Sequence, residues 1–337
     1  DEGTSAALAL RSLGTIARNA ADDIHPPLYY WLLALWVRLT GTSEFALRSL
    51  SVLLGIGAVA LTMWLARRWF SERTALLAGL LAAVSPLAVY YSQEARMYIP
   101  VTFFGVAATC ALARVLPVVE IERPLRVRAL ALYGVLTLAM LYSHYYAATL
   151  LVTHNLAFLA WVWLRRPIER PRSTRDIRRQ IGAWALTQAI IMACYVPWLA
   201  YAWHTIRYWP SISAPFTLEQ LVLRLAQVLP LGITVHTSTW TLATGMAMAA
   251  LALLGLTRPA ESTVGQVEKA GRSKVRASRW WPVVTAALYA AVPVGAMYAA
   301  SLRRPMYNPK FLLLATPAYG LLLARGLEAL TSVARRL

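Results

Sequence analysis

The hydrophobic residues of this chain fall into nine apolar runs that alternate with polar connectors. The runs lie at residues 44–66, 74–92, 97–115, 128–143, 145–164, 181–201, 239–256, 282–301 and 311–327. Most approach the roughly 20 residues that a helix needs to cross the hydrocarbon core of a bilayer. The pattern therefore predicts an all-α, polytopic integral membrane bundle of about nine transmembrane helices.

The distribution of positive charge predicts the orientation of this bundle. A net charge of +18 would suit a nucleic-acid partner if the charge covered a globular face. Most of the 33 Lys and Arg residues fall instead in alternate connectors and in the tail, at 67–73, 114–128, 165–179, 258–279 and 335–336. The positive-inside rule places that side in the cytoplasm, so no nucleic-acid partner is expected.

The same pattern divides the chain into two parts. Residues 1–43 are predicted to form a first outer loop with interfacial helices and catalytic acids. Residues 44–337 form the transmembrane bundle, with an outer loop at 202–238 and a cytoplasmic loop at 257–281. An outer loop at the start of a chain needs an export route, so we expect a missing span before Asp1 and possible further spans after Leu337.

Three short helices are expected in the outer loops. Residues 5–20 have the apolar spacing of one amphipathic helix that lies in the membrane interface. Residues 26–39 begin with prolines and predict a helix of about 20 Å, at 1.5 Å per residue, which is too short to span comfortably. A further helix is expected at 217–228.

The first outer cluster combines two acids, a histidine and a tyrosine, namely Asp22, Asp23, His25 and Tyr29. Carboxylates and an imidazole at a membrane face can bind a metal ion or an anionic headgroup, and one acid can act as a base. In the alternative interpretation the acids cap a short helix and the aromatic residues anchor it at headgroup depth. Position alone does not choose between the two.

Two further clusters lie in tight outer turns. Gln93, Glu94 and Arg96 occupy a short hairpin between two spans, where they fit either a substrate pocket or an interfacial ion pair with tyrosine anchors. His144 and Tyr145 form a similar turn, in which the alternative role is that of a hydrogen-bonded interface residue. Their placement at the mouth of the bundle makes both turns candidate binding sites.

The last outer turn carries three cations, Arg303, Arg304 and Lys310, and so departs from the sparing use of positive charge on that side. A phosphate or pyrophosphate headgroup would explain them, because Arg contacts phosphate in a bidentate manner and Lys acts as a point charge. The alternative is that their side chains snorkel to the membrane surface.

Several of these motifs, taken in chain order, resemble bacterial GT-C glycosyltransferases of the protein O-mannosyltransferase and aminoarabinose-transferase type, similar to glycosyltransferase family 39. The resemblance is carried by Asp1-Glu2, by the segments 22–30 and 90–98, and by the turns at His144-Tyr145 and Lys310-Phe311. It covers nearly the whole chain. The pair Lys310-Phe311 departs from the Arg-Tyr pair that is common at this position.

The resemblance implies inverting transfer of a sugar, such as the hexose mannose, from a polyprenyl-phosphate donor to a lipid, glycan or protein acceptor. The reaction would take place on the extracytoplasmic face of a bacterial plasma membrane. Asp1 is the implied catalytic base and Glu2 its neighbour, with Asp22 and Asp23 as second-choice acids. The metal requirement stays open, with a divalent ion as one possibility, and no organic cofactor is expected.

The binding residues follow partly from the resemblance and partly from charge. His25 and Lys310 are candidates for the donor phosphate, and Glu94 and Arg96 are candidates for shaping the sugar pocket. Arg303 and Arg304 are assigned to the phosphate on charge and side alone. The remaining substrate-binding candidates are Tyr29, Gln93, His144 and Tyr145.

Two rival classes of protein remain. A transporter or flippase for a lipid-linked saccharide would also gather charge at one membrane face, but it should carry polar residues near the bilayer midplane. The centres of the predicted spans are almost wholly apolar, which disfavours transport. A non-catalytic membrane scaffold is the second rival, and in it the outer acids would act only as helix caps.

Overall fold

The computed structural model describes residues 2–23, 25–116, 127–165, 173–209, 211, 213–260 and 279–334. Throughout these ranges the regular structure is helical, without a β-strand. The predicted base Asp1 and most of the predicted cytoplasmic loop at 257–281 lie outside the described residues. The all-α prediction is confirmed.

The helices follow the chain in three groups. The first outer loop contains α1 (Glu2–Ala9), α2 (Leu13–Asp22) and α3 (Leu28–Thr40). The first half of the bundle contains α4 (Glu44–Trp69), α5 (Glu72–Ala83), α6 (Pro86–Ser92), α7 (Tyr98–Val115), α8 (Val127–Ser143) and α9 (Ala148–Arg165). The second half contains α10 (Ser173–Tyr201), α11 (Trp203–Arg207), α12 (Leu218–Leu231), α13 (Thr239–Leu254), α14 (Trp281–Ser301), α15 (Pro309–Leu312) and α16 (Thr316–Ala334). Two 3₁₀ turns, Tyr145–Ala147 and Leu313–Ala315, lead into α9 and α16.

Each of the nine predicted apolar runs is helical, although not every run is a full span. Within the described ranges six helical segments are long and apolar enough to cross a membrane. A seventh is added if the bent pair α5 and α6 counts as one span, while α8 and α13 are shorter apolar helices. The bend of 53° falls where Ser85 caps α6 and Pro86 opens its first turn. A proline cannot continue the preceding ladder of hydrogen bonds, so the run breaks there.

The first outer loop differs from its prediction in one respect. Residues 5–20 were expected to form one helix, but the chain breaks at Leu10–Ser12 into α1 and α2. Ser12 accepts a hydrogen bond of 3.3 Å from the backbone N–H of Thr15, so it caps α2 and ends the continuity of the pattern. The helices predicted at 26–39 and 217–228 are confirmed as α3 and α12.

The centre of the bundle is formed by α7 and the last span. In the most apolar stretch of 18 residues, 78% of α7 is buried inside the protein, and the same holds for the segment Pro309–Thr331. The corresponding share for α10 is 22%. α7 packs on α4 and α8, and α16 packs on α5 and α13. A helix that is apolar on all sides belongs in the interior, whereas α10 lies at the edge and turns most of its surface toward lipid.

Two glycines let α12, α13 and α16 approach one another closely. A Cβ atom at Gly245 of α13 would overlap the backbone carbonyl of Ala226 in α12. One at Gly326 of α16 would overlap the carbonyl of Leu251 in α13. Small residues at helix contacts are the usual means of close packing in membranes, so α12, α13 and α16 form one packed layer.

The end of the bundle that carries the Arg-rich connectors has its own polar contacts. The carboxylate of Glu328 near the end of α16 accepts hydrogen bonds from Thr74 and, at 2.7 Å, from Ser71. The buried side chain of Arg325 donates to the carbonyl of Gly255 at 2.8 Å. These contacts attach the chain at 71–74 and at Gly255 to the same part of α16, as expected if both connectors lie on one side of the membrane.

The span centres are more polar than the sequence suggested. Trp184 Nε1 donates to Asn155 Oδ1 at 3.0 Å, and Asn155 Nδ2 donates to Gln188 Oε1 at 3.3 Å. His154 Nε2 lies 3.0 Å from the hydroxyl of Thr109. These five side chains connect α7, α9 and α10, so the expectation of almost wholly apolar centres is wrong for this part of the bundle. Isolated polar residues within apolar runs barely change a hydropathy average.

The contribution of this polar cluster to stability can be measured with Asn155→Leu. The change leaves Trp184 Nε1 and Gln188 Oε1 without their partner, so we expect the free energy of unfolding to fall by about 1 kcal/mol. Thermal unfolding in detergent micelles measures the loss. The control is Thr187→Val, because the Thr187 hydroxyl donates to the Ala183 carbonyl of its own helix, at 2.8 Å, and to no other helix within the described ranges. Equal stability of the two variants would contradict the role given to Asn155.

Candidate functional site

Charged residues from several helices surround an open cavity of about 520 Å³ at one end of the bundle. The cavity lies where α1, the first turns of α4, the hairpin between α6 and α7, and the start of α15 meet. Its walls are Glu2, Arg48, Tyr90, Tyr91, Gln93, Glu94, Arg96, Tyr98, Asn308 and Lys310. Predicted residues from three separate parts of the sequence are therefore brought together.

Glu2 is held firmly at the edge of this cavity. Arg48 Nη2 donates to Glu2 Oε2 at 2.8 Å and Arg48 Nε donates at 3.2 Å, while the backbone N–H of Ala95 donates to Glu2 Oε1 at 2.7 Å. Arg48 also pairs with Glu44 at 2.7 Å, one helical turn away. The hydrogen bonds from Arg48 lower the pKa of Glu2, so Glu2 is a fixed carboxylate at neutral pH.

Glu94 has a different environment in the same cavity. Among the described residues its carboxylate makes no hydrogen bond or close ion pair, and it is half-buried. Burial raises the pKa of Glu94, and the nearby charge of Glu2 acts in the same direction. The pKa of Glu2 is thus lowered and that of Glu94 is raised within one cavity. Such a difference between neighbouring acids often marks a functional site.

Two cations line the wall beside Tyr98. Lys310 Nζ lies 4.8 Å from the centre of the Tyr98 ring, and the guanidinium of Arg96 lies 6.0 Å from it. Asn308 accepts a hydrogen bond of 3.3 Å from the backbone N–H of Lys310, so it fixes the start of α15 and the direction of that lysine. Arg96 and Lys310 both line the cavity, so an anion that enters it meets positive charge on this wall.

A pair of buried histidines stands next to this cationic wall. His25 Nδ1 lies 3.3 Å from Asp23 Oδ2, and the His25 ring meets the His144 ring edge to face at a centroid distance of 5.5 Å. Burial lowers the pKa of His25 and lowers the pKa of His144 further. Both rings are therefore neutral at physiological pH. The carboxylate of Asp23 remains about half exposed.

The other predicted residues lie away from the cavity walls. Asp22 is exposed at the end of α2, whereas Tyr29 is buried in α3. Tyr145 accepts a hydrogen bond of 3.2 Å from Trp198 Nε1. Arg303 and Arg304 are exposed, and the guanidinium of Arg304 donates to the carbonyl of Trp209. Within the described part of the chain, no group of three His, Cys, Asp or Glu residues converges as a metal site.

Sequence reasoning did not single out several residues of the cavity. Arg48 was passed over because it lies inside an apolar run, although a cation one turn after Glu44 at the start of a span is an unusual feature. Asn308 directly precedes a proline, which is a common signature of a helix start. The aromatic wall of the cavity is formed by Tyr90, Tyr91 and Tyr98. In the sequence, these residues could equally be interpreted as tyrosines that anchor the chain at the membrane interface.

Solved structures with the same fold are membrane enzymes of the GT-C class. ArnT from Cupriavidus metallidurans in the apo state matches 100% of this chain and 57% of its own length, at a TM-score of 0.60 and 16% identity. The structure of ArnT bound to undecaprenyl phosphate matches 96% of this chain, at a TM-score of 0.57. The Archaeoglobus fulgidus oligosaccharyltransferase matches 93% of this chain and 44% of its own, at a TM-score of 0.57 and 14% identity. The chain thus spans about half the length of these enzymes.

Similarity at the level of sequence is more local. An uncharacterized protein of Aquifex aeolicus (strain VF5) is 38% identical over 80 residues, which are 23% of this chain and 16% of that protein. The dolichyl-phosphate-mannose-protein mannosyltransferase family matches residues 24–201, more than half of the chain. That segment contains His25, Glu94, Arg96 and His144. On this match, the chain belongs to the dolichyl-phosphate-mannose-protein mannosyltransferase family.

Proposed function

We propose that this protein transfers a sugar from a polyprenyl-phosphate donor to an acceptor, with inversion at the anomeric carbon. The observation that carries the proposal is the cavity, in which Glu2 and Glu94 face Arg96 and Lys310 at one end of a GT-C bundle. Family membership supports it. So does the likeness to ArnT, which has been solved with undecaprenyl phosphate, and to archaeal AglB, which has been solved with a dolichol-phosphate.

The chemistry of the proposed reaction needs two kinds of group. A carboxylate removes the proton of the acceptor hydroxyl as its oxygen bonds to the anomeric carbon. The bond from that carbon to the phosphate oxygen breaks, and its electron pair stays on the lipid phosphate. Fixed cations such as Arg96 and Lys310 stabilise the charge that develops on this leaving group.

The base that we propose is Asp1, which directly precedes Glu2 in the sequence. Glu2 itself is unsuited to that role, because Arg48 and the N–H of Ala95 engage both of its oxygens and lower its pKa. Glu2 is better placed to fix the start of α1. Glu94 lacks such partners among the described residues and would bind hydroxyl groups of the donor sugar.

The site is proposed to face the extracytoplasmic side of a bacterial plasma membrane, because the connectors rich in arginine join the opposite ends of the spans. The proposed sugar is a hexose such as mannose, and the acceptor is a lipid, a glycan or a protein. The rival function, movement of a lipid-linked saccharide between leaflets, is tested in the same membranes.

The proposed function is tested with membranes that contain the parent protein, without substitution, or its Asp1→Asn variant at equal expression. Radiolabelled polyprenyl-phosphate sugars are supplied, and sugar transfer is measured. We expect the parent to transfer at least one sugar and the variant to lose roughly 100-fold or more in rate, because general-base catalysis contributes about 10²–10⁴-fold. The control is Glu72→Gln, whose exposed side chain pairs with Arg67 at the opposite end of the bundle.

Two other outcomes would count against these assignments. Full activity of Asp1→Asn, with folding unchanged, would refute the assignment of the base. Absence of transfer with every donor, together with donor-stimulated movement of lipid between leaflets, would favour the flippase instead.

The phosphate site is tested by comparing Lys310→Met with Arg303→Met. Lys310 lines the cavity, whereas Arg303 is exposed outside its walls, so the two predicted phosphate ligands differ in position. Loss of a charge-assisted contact at Lys310 should raise KM for the donor roughly tenfold or more. Arg303→Met should change KM by less than about threefold, as is usual for an exposed charge. A larger effect at Arg303 would place the phosphate at the outer turn.

A further inference from the structure

His144 occupies an unusual place between two helices of the site. It follows α8 directly and caps the 3₁₀ turn Tyr145–Ala147, because its Nδ1 atom accepts a hydrogen bond of 3.0 Å from the backbone N–H of Tyr146. Only 3% of the residue is exposed. The imidazole is therefore fixed in one orientation by the backbone that follows it.

This hydrogen bond determines which ring nitrogen carries the proton. A backbone N–H can only donate, so Nδ1 of His144 must present its lone pair. Because burial lowers the pKa of His144 well below its usual range, the ring is neutral and its single proton lies on Nε2. The Nε2–H group is buried, yet it has no hydrogen-bond partner anywhere in the described part of the protein.

A buried donor without an acceptor is costly, by about 1–3 kcal/mol. The rings of Phe311, at 5.5 Å, and Tyr98, at 6.1 Å, lie close to His144 but bring no oxygen or nitrogen acceptor within hydrogen-bond distance of Nε2. His25, at 5.5 Å, directs its Nδ1 atom to Asp23. An acceptor supplied from outside the protein would satisfy the Nε2–H group.

The charges around His144 indicate which kind of acceptor would fit. Lys310 and Arg96 both lie beside the Tyr98 ring that contacts His144, and both act electrostatically on the two histidines. Asp23 is the acidic group that faces His25. A neutral N–H donor next to two cations suits the oxygen of an anion, and phosphate combines high charge with strong acceptor oxygens.

We propose that the Nε2–H group of His144 donates a hydrogen bond to a phosphoryl oxygen of the polyprenyl-phosphate donor, beside Lys310 and Arg96. The proposal rests on the function proposed above and adds a specific contact to it. When the bond between the anomeric carbon and the phosphate oxygen breaks, the phosphate gains negative charge and this hydrogen bond strengthens. His144 keeps its proton throughout, while the acceptor's proton passes to the carboxylate base.

Two substitutions separate this role from the structural role of the ring. In His144→Asn the side-chain oxygen can still accept from the N–H of Tyr146, and Asn is a good helix cap, but no donor remains at the Nε2 position. In His144→Gln the amide nitrogen reaches the Nε2 position and restores a donor. Thermal unfolding in detergent shows whether each variant retains the stability of the parent.

The direct measurement is binding of undecaprenyl phosphate by the full-length protein in nanodiscs, with polyprenol and inorganic phosphate as separate probes. We expect His144→Asn to weaken binding of the lipid phosphate roughly 10- to 100-fold, which is the value of a hydrogen bond to a charged group. His144→Gln should recover most of the affinity. Binding of polyprenol should not distinguish the variants, and inorganic phosphate shows whether the contact needs the lipid.

A spectroscopic measurement covers the case in which a variant fails to fold. In the parent labelled with ¹⁵N-histidine, the ¹⁵N chemical shifts of His144 should show a protonated Nε2 and an unprotonated Nδ1. The Nε2–H signal should move when undecaprenyl phosphate is added but not when polyprenol is added. A proton on Nδ1, an unchanged Nε2–H signal or wild-type affinity in His144→Asn would overturn the proposal. If one of these three results is found but the parent transfers sugar, the proposed function stands without the His144 contact. If the parent binds no lipid phosphate, both proposals fail.

Discussion

The carboxylate of Glu2 joins three distant parts of the chain, and the shape of the polar cavity depends on that junction. Its oxygens accept from Arg48 at the start of α4 and from the backbone N–H of Ala95 in the hairpin before α7. α1 has only 8 residues, too few for a stable helix in isolation, so tertiary contacts must hold it in place. Charge-assisted hydrogen bonds are the strongest contacts available at a wet membrane surface. The start of α1 is thereby fixed against α4 and the hairpin before α7.

This junction also separates the roles of the acids around it. The carboxylate of Glu2 accepts hydrogen bonds from Arg48 and from the N–H of Ala95, and these bonds lower its pKa. Glu2 is therefore a weak base that serves as a structural anchor. Glu94 shares the cavity but is half-buried without such partners in the described structure, and its pKa rises. A cavity with one fixed anion, one adaptable acid and the cations Arg96 and Lys310 suits a substrate that carries both hydroxyl groups and a phosphate. These features support the proposed transfer reaction.

The helices were predictable from the sequence because lipid imposes a simple pattern, but the contacts at the site were not. Apolar runs set the positions of the spans, and the proline at position 86 marks a bend whose angle depends on packing. The break at Leu10–Ser12 was missed because apolar spacing continues across it, although Ser12 is a good cap. Motifs placed Glu94, Arg96 and Lys310 at one membrane face. The ion pair between Glu2 and Arg48 spans 46 residues of sequence, and no local pattern indicates such a distance.

The polar cluster in the bundle bears on the choice between enzyme and transporter. The sequence argument against transport relied on apolar span centres, and that premise fails where Thr109, His154 and Tyr133 meet. These three side chains are nevertheless 0% exposed. A solute path requires groups that contact water or cargo, whereas hydrogen bonds between neighbouring helices are a usual source of helix association in lipid. The buried position of these three side chains therefore supports a role in helix association, and it weighs against a solute path at this point of the bundle.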